Sequence, residues 1–334
     1  MKRGCAVLAT SKSQSKTRIA DEPAFVLHRY DWSESSLVLD VFTRHHGRVA
    51  LVAKGAKRPH SNLRPVLMPL QPLELNFSGE QEVRTLTAAQ WLGGHVFPQG
   101  DSLLAGFYLN ELILKLMARE DPHEHLFDLY AHVVKILASG LEPTLWPLMR
   151  SFELLLLKGL GLLPNLDAQS GNLQPLERDA QYTLLAPLGL MSLQESSHAS
   201  SGSEGNAQPH ATTGLLSRPA VEAMVTRSEA FSASSAPHAL VKALSPPIAR
   251  GSAWASAAGV VGAGHLHGLA GEHWQALAVA VNSPQPLTQT LRVCAEMHAL
   301  ERTSLQSQLR AWLTHHCGGV GLKTRQFMVD IHAL

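Results

Sequence analysis

Apolar and polar residues alternate between Ala24 and Ala89 with the period of two that extended strands require. Branched and aromatic residues mark five strands, at 25–32, 37–43, 49–54, 73–78 and 83–87. Short strands with no strong helix among them favour a small closed barrel, because closure removes the exposed edges of an open sheet. We therefore predict a five-stranded OB-fold β-barrel over residues 24–98, preceded by a flexible N-terminal extension at 1–23.

After Pro98 the apolar positions recur with the period of an α-helix. The predicted helical regions lie at 101–119, 122–140, 142–159, 286–316 and 322–331. Pro147 either kinks the third of these helices or marks its true beginning. The fold class is therefore α+β and multidomain, with a mainly α-helical C-terminal domain over residues 99–334.

Two stretches of the helical domain lack this pattern. Residues 196–214 are dominated by Ser, Gly, His and Thr, so nothing there offsets the entropy of ordering. We predict a disordered low-complexity insertion at about 194–250. The glycine-rich stretch 251–271 is predicted to be loop, and its glycines, serines and histidines make it a poor membrane span.

The net charge of +1 conceals an uneven distribution of charge along the chain. Residues 1–98 carry more Lys and Arg than Asp and Glu, and the remaining residues carry the opposite excess. A basic module joined to an acidic module indicates that each module has partners of its own.

Sequence motifs give little support to catalysis. The three cysteines provide neither a disulfide framework nor a four-cysteine zinc site. This low cysteine content is typical of a protein that works in the reducing cytoplasm. No phosphate-binding loop, nucleophile elbow or dinucleotide fingerprint occurs. Histidine pairs at 45/46, 123/125, 265/267 and 315/316 leave open a metal-dependent hydrolase, but residues two apart on a helix do not face each other. We therefore predict a non-enzymatic protein with no catalytic residue, metal or cofactor.

The strongest functional signal is the stretch 44–73, which contains six basic residues and no acidic one. These candidate phosphate contacts are Arg44, Arg48, Lys54, Lys57, Arg58 and Arg64. They lie around the third predicted strand and in the loop after it, where a nucleic-acid backbone is the natural counterpart. The alternative is that this basic loop only keeps the domain soluble.

Three aromatic residues on the first two predicted strands are candidates for base stacking, namely Tyr30, Trp32 and Phe42. OB-folds commonly offer aromatic side chains beside a positive groove, although such residues can equally fill the barrel. An RNA-binding module acting in translation or decay stays open as a second function, because contacts to the 2′-hydroxyl are what distinguish RNA from DNA.

The segment 42–58, FTRHHGRVALVAKGAKR, resembles the signature of RecO, the recombination-mediator family. The resemblance continues, in the family's order, at SNLRP (61–65), FYLNEL (107–112), REDPH (119–123), RSFE (150–153) and LKTRQ (322–326). It covers most of residues 24–165 and the C-terminal end.

This resemblance implies a protein that binds single- and double-stranded DNA, anneals complementary strands, and works with RecR to load RecA onto strands coated by single-strand-binding protein. It implies action in the cytoplasm, at the nucleoid. Many family members carry a four-cysteine zinc module, but the matching region 163–182 contains no cysteine, so we expect no zinc. Lys323 and Arg325 are candidate contacts for the acidic tail of single-strand-binding protein, or else cations that complement a helix dipole.

Overall fold

The structure of the 334-residue chain is a computed structural model that describes residues 17–94, 96–140, 144–193, 268–319 and 321–324. The predicted insertion at 194–250, most of the predicted last helix and Arg325 lie outside the described residues. So does the greater part of the predicted N-terminal extension.

The N-terminal strands close into a barrel, which confirms the predicted five-stranded OB-fold. The strands are β1 (Arg18–Asp31), β2 (Leu37–Thr43), β3 (Gly47–Ala53), β4 (Leu73–Ser78) and β5 (Val83–Trp91). Their order around the barrel is β1-β2-β3-β5-β4, in which β3 and β5 run parallel and the other neighbours antiparallel. Alternate residues such as Leu39, Leu51 and Phe77 are fully buried in the interior.

The first strand begins earlier than the alternation predicts. Residues 18–23, which we assigned to the flexible extension, belong to β1 and pair with β4 from Arg18 onward. The register shifts between Ile19 and Glu22, where Asp21 adopts a positive φ of 53°. Because Asp and Pro are depleted in regular strands, this irregular start does not show in the sequence pattern.

The helical part begins with three helices close to their predicted positions. They are α1 (Gly100–Leu116), α2 (Glu124–Ala138) and α3 (Leu145–Gly159). Pro147 is the third residue of α3, so it marks the beginning of the helix, where its missing N–H is not needed. Further along the chain are α4 (Gly271–Val281), α5 (Pro286–Glu296) and α6 (Ala299–His316).

A small sheet inside the helical domain was not predicted. It consists of β6 (Gln181–Leu185), β7 (Gly189–Ser192) and β8 (Leu269–Ala270), in the order β7-β6-β8. Three consecutive residues of β6 are buried, so both of its faces are covered and no alternation marks it. The prediction of loop over 251–271 is wrong at its end, where β8 leads directly into α4.

Aromatic residues join the barrel to the helices. Phe25 of β1 and Phe42 of β2 pack on Phe127 of α2, with ring centroids 5.5 and 5.3 Å apart. Both rings also meet Tyr130 of α2, at 5.0 and 6.0 Å. The outer face of the barrel thus continues into the core of the helical domain.

The segment 150–153, which is part of the family resemblance, contains a buried ion pair between Arg150 and Glu153. Arg150 donates to Glu153 at 2.5 Å, and the hydroxyl of Tyr108 donates to the same carboxylate oxygen at 2.7 Å. All three residues are buried, and burial raises the pKa of both Glu153 and Tyr108. These contacts tie α3 to α1 in the interior of the helical domain.

Candidate nucleic-acid interface

The loop between β3 and β4 lies against the hairpin that joins β1 to β2. The backbone N–H of Lys57 donates to the carbonyl of Ser35 at 3.0 Å. The ammonium of Lys57 donates to the carbonyl of Ser33 at 3.0 Å and pairs with Asp31 at 3.2 Å. Trp32, in the same hairpin, is 66% exposed. The fold therefore brings the cationic loop and an exposed indole to the same end of the barrel.

Three of the six candidate cations are free to meet phosphate, namely Lys54, Arg58 and Arg64. Their side chains are exposed and make no hydrogen bond or ion pair with any residue that the structure describes. Arg58 closes a turn by donating its N–H to the carbonyl of Gly55, whose φ of 70° favours glycine. We call Lys54, Arg58 and Arg64 the free cations.

Arg44 is paired with carboxylates of the helical domain, so its assignment as a phosphate contact stays a prediction that competes with this pairing. Its guanidinium donates to both oxygens of Asp128, at 2.9 and 3.0 Å, and pairs with Glu124 at 3.2 Å. The hydrogen bond from Arg44 lowers the pKa of Asp128, which keeps that carboxylate charged. Bidentate pairing of this kind fixes both position and orientation.

Arg48 is also bonded within the protein, and its assignment as a phosphate contact stays a prediction. Its side chain is half-buried and donates to the carbonyl of Leu114 in α1, while its own carbonyl accepts from the N–H of Glu120. Burial lowers the pKa of Arg48. Lys57 is intermediate between the two groups, since it is partly exposed but paired with Asp31.

The three aromatic candidates divide in the same way. Trp32 and Tyr30 are exposed, at 66% and 44%, and the ring of Tyr30 lies 4.3 Å from that of His28. Phe42 has no exposed surface and is covered by Phe127, so its assignment as a stacking residue is wrong. On the face of the barrel that carries Tyr30 and Phe42, the helical domain therefore covers Phe42 and leaves Tyr30 exposed.

Arg119 is a cation that the sequence reasoning missed, because it follows α1 and lies outside the basic stretch. Its guanidinium contacts Asp40 of β2 at 3.2 Å. Burial, and after it the charge of Asp40, raises the pKa of Tyr30 to about 12. Arg119 and Tyr30 thus share one carboxylate on one face of the barrel. The resemblance at 119–123 was the only signal that marked this position.

Comparison with known proteins covers both parts of the chain. The family model described as "Recombination protein O N terminal" matches residues 18–95, and the one described as "Recombination protein O C terminal" matches residues 98–216. The first match begins at the residue where β1 begins. The chain belongs to the RecO family.

RecO proteins of other bacteria align with nearly the whole chain. "DNA repair protein RecO" of Variovorax paradoxus (strain S110) is 44% identical over 321 residues, which is 95% of this chain and 98% of the relative. The protein of the same name from Albidiferax ferrireducens is 42% identical over 317 residues, again 95% of this chain and 98% of the relative. The relationship therefore extends over both domains.

Residues 163–182, which contain no cysteine, are held together by apolar burial and backbone hydrogen bonds. Leu166 and Leu176 are buried, and the N–H of Leu176 donates to the carbonyl of Asp167 at 3.2 Å. The N–H of Gln169 donates to the carbonyl of Gln174 at 2.9 Å. These contacts thus order the loop that precedes β6.

In two of the histidine pairs, 45/46 and 123/125, a histidine contacts a single carboxylate. His45 lies 3.0 Å from Glu22, and His123 lies 3.0 Å from Asp121. Among the residues that the structure describes, no group of three His, Cys, Asp or Glu side chains could hold a metal ion.

None of the helices in the described ranges combines the length and apolar character needed to cross a membrane.

The backbone of Lys323 is held by hydrogen bonds, while its side chain is exposed. The carboxylate of Glu111 in α1 accepts hydrogen bonds from the backbone N–H groups of Lys323 and Thr324, both at 2.8 Å. The side chain of Lys323 makes no contact with a carboxylate among the described residues.

Proposed function

We propose that this RecO-family chain is a non-enzymatic DNA repair protein that binds single- and double-stranded DNA through the open end of its barrel. The observation that supports this most is that the free cations share a loop packed beside the exposed Trp32. In this proposal the protein anneals complementary strands in the bacterial cytoplasm. With RecR, it helps to load RecA onto strands coated by single-strand-binding protein. The acidic helical domain provides surfaces for the protein partners.

Annealing follows from charge neutralisation. Two complementary strands repel each other through their phosphates, and a protein that neutralises phosphates on both lowers that repulsion. Backbone contacts carry no sequence information, so the base edges stay available for pairing. Exposed aromatic rings hold successive bases by stacking, which tolerates any sequence. The free cations and Trp32 supply both kinds of contact at one end of the barrel.

The number of free cations sets the expected salt dependence. Each phosphate contact to a single strand contributes about −0.7 to the slope of log affinity against log salt concentration. The free cations alone give a slope of about −2, whereas four contacts from the basic stretch would give a slope near −3. Additional contacts from Arg119 or the helical domain make the slope steeper.

Replacement of Trp32 by alanine should weaken binding without weakening the fold. Stacking of one base on an aromatic ring is worth about 1–3 kcal/mol, so the affinity for oligothymidylate should fall at least about fivefold. Trp32→Phe keeps a ring and should retain most of the affinity. Fluorescence anisotropy measures the binding and thermal unfolding measures the stability. Loss of stability with unchanged affinity would show that the indole serves the fold.

Strand annealing tests the proposed function directly. Purified protein should accelerate pairing of two complementary oligonucleotides, each coated with single-strand-binding protein, and mismatched strands of equal length are the control. Parallel assays with RNA strands test the RNA-binding alternative, which requires clearly tighter binding to the ribose-containing strand. If the protein binds neither nucleic acid in dilute buffer, the proposal is wrong.

A further inference from the structure

The last described segment of the chain, residues 321–324, is fixed on α1 by several contacts. Glu111 accepts the two backbone hydrogen bonds described above, and its carboxylate is only 13% exposed. Lys115, one turn later in α1, donates to the carbonyl of Gly321 at 3.3 Å. Leu322 is buried. The position of Lys323 is therefore determined by α1, while its ammonium group is left in solvent.

The same turn of α1 contacts the barrel. Asn110, which precedes Glu111, donates to the carbonyl of Leu27 in β1 at 3.0 Å, and this contact is buried. The next residue of β1 is His28, whose ring stacks against Tyr30. The pKa of His28 is lowered mainly by burial; the charge of Asp40 opposes this shift, and the charges of Arg29 and Lys323 add to it. The segment is thus held by Glu111, the neighbour of the residue through which α1 contacts β1 next to His28.

We infer that Lys323 extends the nucleic-acid path of the barrel, forming with His28 and Tyr30 a composite groove for single-stranded DNA. Both exposed rings come from the barrel, and the cation comes from the helical domain. This inference rests on the proposed function and names a phosphate contact outside the basic stretch. It assigns Lys323 to DNA instead of to the acidic tail of single-strand-binding protein.

The chemistry of the groove favours a nucleic acid over an acidic peptide. A single strand offers a phosphate for the ammonium and planar bases for the rings at the same time. His28 is neutral near pH 7 because its pKa is lowered, so its ring adds stacking surface and no charge. A peptide that offers only carboxylates would use Lys323 alone and would leave the His28 and Tyr30 rings in water.

Replacement of Lys323 by glutamine tests the groove. Loss of one phosphate contact should make the salt slope for single-stranded DNA less negative by about 0.7. It should also lower the affinity about fivefold at about 0.1 M salt. Lys323→Arg should retain the affinity, because the charge is kept. Lys135→Gln, on an exposed position of α2, is the matched control and should leave both quantities unchanged.

Two further variants separate the possible outcomes. The double variant Tyr30→Ala, Lys323→Gln should lose less binding free energy than the sum of the losses in the two single variants. The losses are not additive because both residues hold the same nucleotide. Glu111→Gln should reproduce the loss seen with Lys323→Gln by loosening the segment. If the free cations prove essential while Lys323→Gln binds DNA normally, or weakens only binding of an acidic peptide, the groove is wrong and the proposed function stands. If the unaltered protein fails to bind DNA, the proposed function itself fails.

Discussion

Charge reversal of the free cations should weaken binding to single-stranded DNA at least about 100-fold at about 0.1 M salt. The variant Lys54→Glu, Arg58→Glu, Arg64→Glu loses three phosphate contacts, each of which is worth about fivefold at that salt concentration. The three new carboxylates repel the backbone in addition. Because these side chains are exposed and contact no acceptor in the described ranges, the melting temperature should hardly change.

A second triple variant controls for the change in total charge. Lys135, Arg178 and Arg292 are exposed cations of the helical domain, and replacing all three by Glu changes the net charge by the same amount. This control should bind oligothymidylate with nearly unaltered affinity and salt slope. Equal losses in the two variants would mean that binding depends on overall charge and not on the barrel loop.

The barrel was predictable because strand alternation is a local property of the sequence. The bounds of β2 follow from the alternation of Leu37, Leu39 and Val41 with its neighbours. The parallel pairing of β3 with β5 is a long-range feature that no local pattern contains. The beginning of β1 escaped prediction because a register shift at Asp21 interrupts the pairing that alternation would reveal.

The candidate site was only partly predictable, because the sequence shows cations but not their partners. Arg44 meets Asp128, which lies 84 positions further along the chain, and Arg48 meets a carbonyl 66 positions away. Arg119 joins the barrel face from beyond the basic stretch for the same reason. Alternation places Tyr30 and Phe42 on one face of the sheet, but only the packing of α2 decides that Phe42 is covered.

Phe42→Ala should lower the free energy of unfolding by about 3–5 kcal/mol, which is the usual cost of removing a fully buried aromatic ring. Its ring fills the layer between β2 and α2, where Phe127 and Tyr130 meet it. The remaining folded protein should bind single-stranded DNA with an unchanged salt slope, since no phosphate contact is lost. Urea unfolding followed by tryptophan fluorescence measures the first effect, and anisotropy titrations measure the second.

Trp32→Ala is the matched control for Phe42→Ala, because it removes an aromatic ring of the same barrel at an exposed position. It should alter the free energy of unfolding by no more than about 0.5 kcal/mol, while it weakens binding. The two variants therefore have opposite expected effects, because the helical domain covers one ring and leaves the other in solvent. If Phe42→Ala kept its stability and lost affinity as Trp32→Ala does, Phe42 would have to reach DNA, and the packing of β2 on α2 would be wrong.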